Sequence, residues 1–182
     1  MPEYYFDIET YSPEKKPNPD KDKIITIQVQ QIDIKTGKPK SKLEILKEWE
    51  SSEKDIVITF YNKFKNSFEE IDVWQFVPVG YSLSYDFEFL ISKFRSYIGK
   101  EFTSRFYYNR PYLDLKHVIV LLNGEFKGAS LDKSTSKKFS GAKIKEWYEN
   151  KKFGEIELYI KNEAESFLEL LQKARRNIRK VL

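Results

Sequence analysis

Apolar and polar side chains alternate through Ile24-Ile25-Thr26-Ile27-Gln28-Val29-Gln30, the two-residue period of a strand. A second extended run, Tyr5-Phe6-Asp7-Ile8-Glu9-Thr10, lies within the first dozen residues. The Pro- and Lys-rich stretch from Ser12 to Lys23 holds too little apolar material to pack and reads as a mobile loop. The strand from Lys23 to Asp33 runs into a Thr36-Gly37-Lys38-Pro39 turn, then into a short strand through Leu43, Ile45 and Leu46, which makes an antiparallel meander. Ile56, Phe60, Phe64 and Phe68 recur at four-residue steps, predicting a helix from Ser52 to about Phe68. Val73 to Val79 reads as a buried strand. Asp86 opens a helix through Phe87, Phe89, Leu90, Phe94 and Ile98 that ends at Gly99, and another runs from about Leu113 to Leu122 and stops near Asn123-Gly124. The rest reads as helical. Ser130 caps a short helix, Gly141 and Gly154 punctuate, and Ile156 to Val181 forms a long amphipathic helix with Tyr159, Phe167, Leu170, Leu171 and Ile178 turned inward.

Strands first and helices later predict an α/β layer structure with a mixed sheet. The 182 residues show no internal repeat and no linker, so one domain over residues 1–182 is expected. No run approaches the ~20 apolar residues of a membrane helix, and the first residues lack a signal-peptide pattern. A soluble, intracellular (cytoplasmic) protein without a membrane partner is expected.

Composition narrows the chemistry. The absence of cysteine removes disulfides, thiolate zinc sites and cysteine nucleophiles. His117 is the only histidine; it lies in an apolar helical run and reads as a core or surface residue. Any metal must therefore be held by oxygen. Net charge is +4 but unevenly spread, with 14 Lys/Arg against 8 Asp/Glu over residues 127–182. Such asymmetry suits a surface that follows phosphates, and equally a solvated lysine-rich face.

Asp7 and Glu9 stand two positions apart, on one face of a strand. Two acids forced together repel unless a cation lies between them, as at a site for a hard divalent metal; an ordinary surface strand also carries alternating acids. In Val79-Gly80-Tyr81-Ser82-Leu83-Ser84-Tyr85-Asp86-Phe87-Glu88-Phe89-Leu90 a strand ends in a turn and an acid enters a helix, where Asp86 would serve as a cap or as a third ligand. Four-residue spacing puts Tyr159 and Glu163 on one helix face.

In this order the segments resemble the DEDD 3′–5′ exonucleases, the DnaQ-like branch of the ribonuclease H-like fold, and especially the proofreading domains of family B DNA polymerases. Phe-Asp-Ile-Glu-Thr is similar to the first motif, Gly-Tyr-Ser-x-x-Tyr-Asp-Phe-x-Phe-Leu to the second and Tyr-x-x-x-Glu to the third, in its tyrosine subclass. Tyr112-Leu113-Asp114-Leu115 is similar to the segment between motifs two and three. Two positions depart: the family commonly has Asn at Ser82 and Asp at Glu163. Glu165 is the alternative last acid.

The resemblance implies a mixed five-stranded sheet flanked by helices and two divalent ions, Mg²⁺ or Mn²⁺. Asp7 would contact both ions, Glu9 and Glu163 the nucleophile side, Asp86 the leaving-group side, and Tyr159 would orient the attacking water. Thr10, Tyr11, Tyr81, Ser82, Tyr85 and Phe87 are the candidates for contact with nucleic acid, the aromatics as stacking platforms. Lys127, Lys133, Lys137, Lys138, Lys143, Lys145 and the basic tail Lys173 to Lys180 are candidates for the backbone or a protein partner. The implied activity is 3′–5′ hydrolysis of single-stranded ends, DNA favoured and RNA open, releasing nucleoside 5′-monophosphates. The alternative is an inactive module that binds nucleic acid or a partner in a repair, replication or defence complex.

Overall fold

The computed structural model describes residues 1–67, 70–99, 110–124 and 143–178. Strands β1 (Glu3–Tyr11), β2 (Lys23–Ile32), β3 (Glu44–Lys47), β4 (Val77–Gly80) and β5 (Leu113–Asp114) form one mixed sheet in the order β3-β2-β1-β4-β5. The β1, β2 and β3 pairings are antiparallel, as the meander predicts, whereas β4 lies parallel to β1 and β5 parallel to β4. The helices are α1 (Glu53–Phe64), α2 (Leu83–Ile98), α3 (Leu115–Asn123), α4 (Ile144–Glu149) and α5 (Phe153–Ile178). The expected α/β, mixed five-stranded sheet flanked by helices is the fold observed. No described helix is long and apolar enough to cross a membrane.

Alternation along β1 assigns its two faces. Tyr4, Phe6 and Ile8 point to a core shared with Ile56, Phe60 and Phe64 of α1 and Phe87, Leu90 and Phe94 of α2. Aromatic rings dominate this side: Phe60 meets Phe6 at 5.5 Å, Phe76 at 5.4 Å and Phe64 at 5.3 Å between centroids. On the other face Tyr5 joins Val79, Ala164, Phe167 and Leu171 under α5. Asp7 and Glu9 continue the Tyr5 face toward the end of the strand, so the acids sit where α5 crosses the sheet.

Several element boundaries differ from the sequence-based expectation. The apolar run at Val73 is not strand: Asp72 collects the backbone N–H groups of Gln75 and Phe76 on its carbonyl and that of Trp74 on its side chain, forming a turn that leaves Trp74 68% exposed. Helix α1 ends at Phe64, because Lys65 turns extended and bridges to Ile71; Phe68 lies outside the described residues. Helix α2 begins at Leu83, three residues before Asp86, and Leu113–Asp114 is a strand rather than the first turn of α3. One carboxylate explains both. Asp114 accepts the N–H groups of Ser82 (3.0 Å) and Leu83 (2.9 Å) at the start of α2 and of Lys116 (3.0 Å) at the start of α3, satisfying orphan donors of two helices at once.

Gly154 falls inside the first turn of α5 rather than punctuating it. The 12–22 segment is tied down by Asn18 and Asp22, which bond one another's backbones, and by Asp20, which accepts the Ser92 hydroxyl at 2.6 Å. Ser130, Gly141 and Val181 lie outside the described residues.

Candidate metal-binding active site

Asp7, Glu9 and Glu163 converge. One carboxylate oxygen from each lies within 4.8 Å of the other two, and all three residues are half-buried. Such a spacing matches oxygens facing one another around a hard cation with bonds of about 2.0–2.6 Å. The strand spacing brings Asp7 and Glu9 together, and the four-residue step on α5 delivers Glu163 beside Tyr159. The Tyr159 hydroxyl hydrogen-bonds Glu163; burial, then the charges of Glu9, Glu163 and Asp7, hold this phenol far above its ordinary range. Tyr159 is thus a proton donor, not a base. Glu165, two positions on, faces solvent.

Asp86 stands beside this trio but outside it. It is 3% exposed and accepts the backbone N–H of Ile8 at 3.0 Å. Strand β4 pairs with β1 only as far as Tyr5, so beyond that point the Asp86 carboxylate takes the place of a strand partner for β1. Burial pushes its pKa up to about 8, opposed by the Ile8 N–H and its own N–H, with Asp114 and Glu163 adding repulsion.

Tyr5 is a neighbour of the acids to which the sequence reading assigns no role. Its ring packs 5.0 Å from Phe167, and its hydroxyl donates to Asp7 Oδ2 at 3.3 Å. Burial and then the charges of Asp7, Glu163 and Glu9 raise this phenol well above its usual value. The signal was present: Tyr5, Asp7 and Glu9 share one period-two face. Opposite them on β2 stand Gln30, Gln28 and Thr26, all buried, so the acids lie against a polar stripe. Gln28 Nε2 donates to Thr26 Oγ1 at 2.8 Å.

The candidates for nucleic-acid contact divide. Thr10 Oγ1 and the Tyr85 hydroxyl bond one another at 2.7 Å, joining the end of β1 to α2, and Tyr85 packs 4.9 Å from Phe89. Tyr11 is half-buried, with its ring 4.8 Å from Tyr148 and its hydroxyl donating to Glu149 at 3.2 Å. Tyr81 is half-buried against the cluster under α5. Phe87 is a correction: it is fully buried, stacked on Phe6 at 6.1 Å, and presents no ring face to a base. Ser82 is half-buried with φ of 59°, the left-handed region. Lys143 is exposed, and Lys145 donates to the Pro13 carbonyl; Lys127, Lys133, Lys137 and Lys138 lie outside the described residues. His117 is exposed.

The architecture, a mixed five-stranded sheet flanked by helices, is that of the ribonuclease H-like fold. The chain is similar to the family B DNA polymerase from the hyperthermophilic archaeon Pyrobaculum calidifontis, with a TM-score of 0.68 at 20% identity over 95% of this chain and 24% of the polymerase. It is also similar to E. coli exonuclease I in complex with a dT13 oligonucleotide (TM-score 0.51, 12% identity, 67% of this chain and 29% of that one). A further similar structure is an exonuclease I/SSB-Ct complex (TM-score 0.50, 11% identity, 67% and 30%). The chain thus spans about a quarter of the polymerase and about three-tenths of exonuclease I. No protein-family model matches the sequence, and no curated protein matches it.

Proposed function

We propose that this chain is a metal-dependent 3′–5′ exonuclease unit that hydrolyses the terminal phosphodiester of single-stranded nucleic acid, DNA favoured, releasing nucleoside 5′-monophosphates. The observation that carries this reading is the meeting of Asp7, Glu9 and Glu163 within 4.8 Å, with Tyr159 bonded to Glu163, in an exonuclease fold.

The donor set fits Mg²⁺ or Mn²⁺: it is all carboxylate, hard and partly solvated, with no sulfur or imidazole. When bound, two such ions would polarise the scissile phosphate, activate the attacking water and stabilise the leaving 3′ oxygen. Asp7, Glu9 and Glu163 would hold them, with Asp86 on the leaving-group side. Tyr159 stays protonated with its O–H given to Glu163, so its oxygen would accept a hydrogen bond from the attacking water and fix its direction. Asp86 also fixes the end of β1, and Tyr5 fixes one oxygen of Asp7, so the acids are positioned before substrate arrives. Thr10 and Tyr85, bonded to each other beside the end of β1, and Tyr81 and Ser82, just before α2, would contact the terminal nucleotides; Tyr11 packs against Tyr148. The exonuclease I structure with a dT13 oligonucleotide supports a single strand as substrate.

End labelling tests the polarity. With Mn²⁺, a 3′-labelled strand should lose its label as a mononucleotide at once, while the 5′-labelled copy shortens stepwise. Internal fragments from both would contradict exonuclease action. Binding without cleavage would favour the non-catalytic module.

A further inference from the structure

At the end of the molecule opposite the acids, the turn between β2 and β3 sits on the last turns of α5. Gly37, with φ of +73°, makes the approach possible: a side chain there would meet Leu171 at 3.1 Å and Gln172 at 3.4 Å. Between turn and helix lies a cavity of about 160 Å³ lined by Lys35, Thr36, Lys38, Gln172, Arg175 and Arg176. Four of the six are cations, and no aromatic or aliphatic residue lines the wall.

The nearby acids are already engaged. Glu3 pairs with Arg175, which also donates to the carbonyls of Asp33 and Ile34 and so pins α5 to the start of β1. Asp33 accepts the N–H groups of Lys35 (3.0 Å) and Thr36 (2.8 Å) and the Thr36 hydroxyl (2.9 Å), with Lys40 at 3.9 Å. These bonds fix the turn, so the cations start from a rigid platform. Lys35, Lys38 and Arg176 are exposed and form no ion pair with a described residue.

We infer that this cavity binds a backbone phosphate of the same single strand whose 3′ end enters the acid cluster. The inference rests on the exonuclease reading above. Its warrant is chemical and geometric. The wall is mainly the aliphatic stems of lysine, arginine and glutamine side chains, and the guanidinium and ammonium heads these stems carry match phosphate oxygens. Helix α5 carries both ends of the track. Glu163 and Arg176 are thirteen residues apart, about 20 Å along the helix at ~1.5 Å per residue. Arg176 also lies about 220° round the helix from Glu163, so a stacked strand at ~3.4 Å per nucleotide needs at least about six nucleotides to join the two. The cavity would therefore act on long strands and not on short ones.

The test measures anisotropy of 5′-fluorescein dT3 and dT12 with wild type and the triple variant Lys35→Gln, Lys38→Gln, Arg176→Gln, in EDTA over a salt series. Arg175 is left in place because it anchors α5. The triple variant should bind dT12 about tenfold more weakly, with the salt slope reduced by about 2, as expected for three lost contacts at ~0.7 each. Binding of dT3 should stay within twofold. Unchanged dT12 binding, or equal weakening of dT3 and dT12, overturns the cavity as a strand site, and so does selective loss of a poly-Glu peptide in place of dT12. Should wild type neither bind nor, with Mn²⁺, shorten dT12, the exonuclease reading fails as well. A melting temperature matching wild type shows that the three exposed substitutions leave the fold intact; the single variant Arg176→Gln gives a second, smaller step in the same direction.

Discussion

The carboxylate of Asp86 accepts the backbone N–H of Ile8, 78 positions earlier in the chain, at 3.0 Å. Ile8 stands between Asp7 and Glu9, so this bond joins the helix carrying one acid to the strand carrying two others. It also leaves four carboxylates around one spot, Asp86 and Glu163 repelling each other across it.

That crowding has a signed consequence for the metal-free protein. The folded-state pKa of Asp86 is raised to about 8, against ~3.9 in the unfolded chain. Between these values the folded state keeps a proton that the unfolded state has lost, so this group's contribution to stability falls as pH rises, by up to about 1.4 kcal/mol per pH unit, and levels off above the folded value. Asp86→Asn should therefore melt close to wild type at pH 4 in EDTA and increasingly above it toward pH 8. A constant difference across that range would contradict the buried, repelled acid.

Tyr5→Phe keeps the ring against Phe167 and removes only the donor to Asp7. One hydrogen bond to a charged carboxylate, about 1.5 kcal/mol at the low end of its range for a contact of 3.3 Å, corresponds to a roughly 10-fold loss of kcat, with half-saturating Mn²⁺ raised by a comparable factor. Metal titration of the cleavage rate is the readout; unchanged parameters would make Tyr5 a packing residue only.

Ser82 holds a left-handed backbone with φ of 59° and makes no side-chain cap bond of its own, the capping acceptor being Asp114. Left-handed geometry disfavours most L-residues, and Asn tolerates it better. Ser82→Asn should raise stability by about 0.5–1 kcal/mol, read from denaturant unfolding. A loss of stability would mean that the Ser82 hydroxyl is needed.

Glu163 reaches the acid trio while Glu165 faces solvent on the same helix. Glu163→Ala should lower the cleavage rate at least ~100-fold, the scale of loss for a misplaced catalytic geometry, and Glu165→Ala should stay within twofold. Side-by-side rates under saturating Mn²⁺ decide between them; the reverse order would move the ligand to Glu165.

Much of this architecture is legible in local pattern. The two-residue period puts Asp7 with Glu9, the four-residue step puts Tyr159 with Glu163, and the meander follows from alternation around Gly37. What escapes local pattern depends on partners distant in sequence. Asp114 caps a helix that begins 31 residues before it, which moves the start of α2 back to Leu83. Two-residue β5 is too short to show a period. The apolar run after Asp72 matches a strand in composition, yet the Asp72 turn claims its backbone donors. Phe87 lies beside a site acid in sequence, but Asp86 and Phe87 point to different sides of α2, and the ring goes to the core. Tyr5 is not singled out in the sequence because nothing local distinguishes a phenol that packs from one that packs and also donates.

The central claim is that the Asp7, Glu9 and Glu163 cluster drives metal-dependent removal of 3′ nucleotides. A 5′-labelled single strand, as DNA and as RNA, incubated with wild type and Asp7→Ala in Mg²⁺, Mn²⁺ or EDTA tests it most directly. The predicted result is a 3′-shortening ladder with wild type in Mg²⁺ or Mn²⁺, stronger on DNA and absent with EDTA or with Asp7→Ala. A ladder that persists in Asp7→Ala, or intact strands under every condition with properly folded wild type, would contradict it.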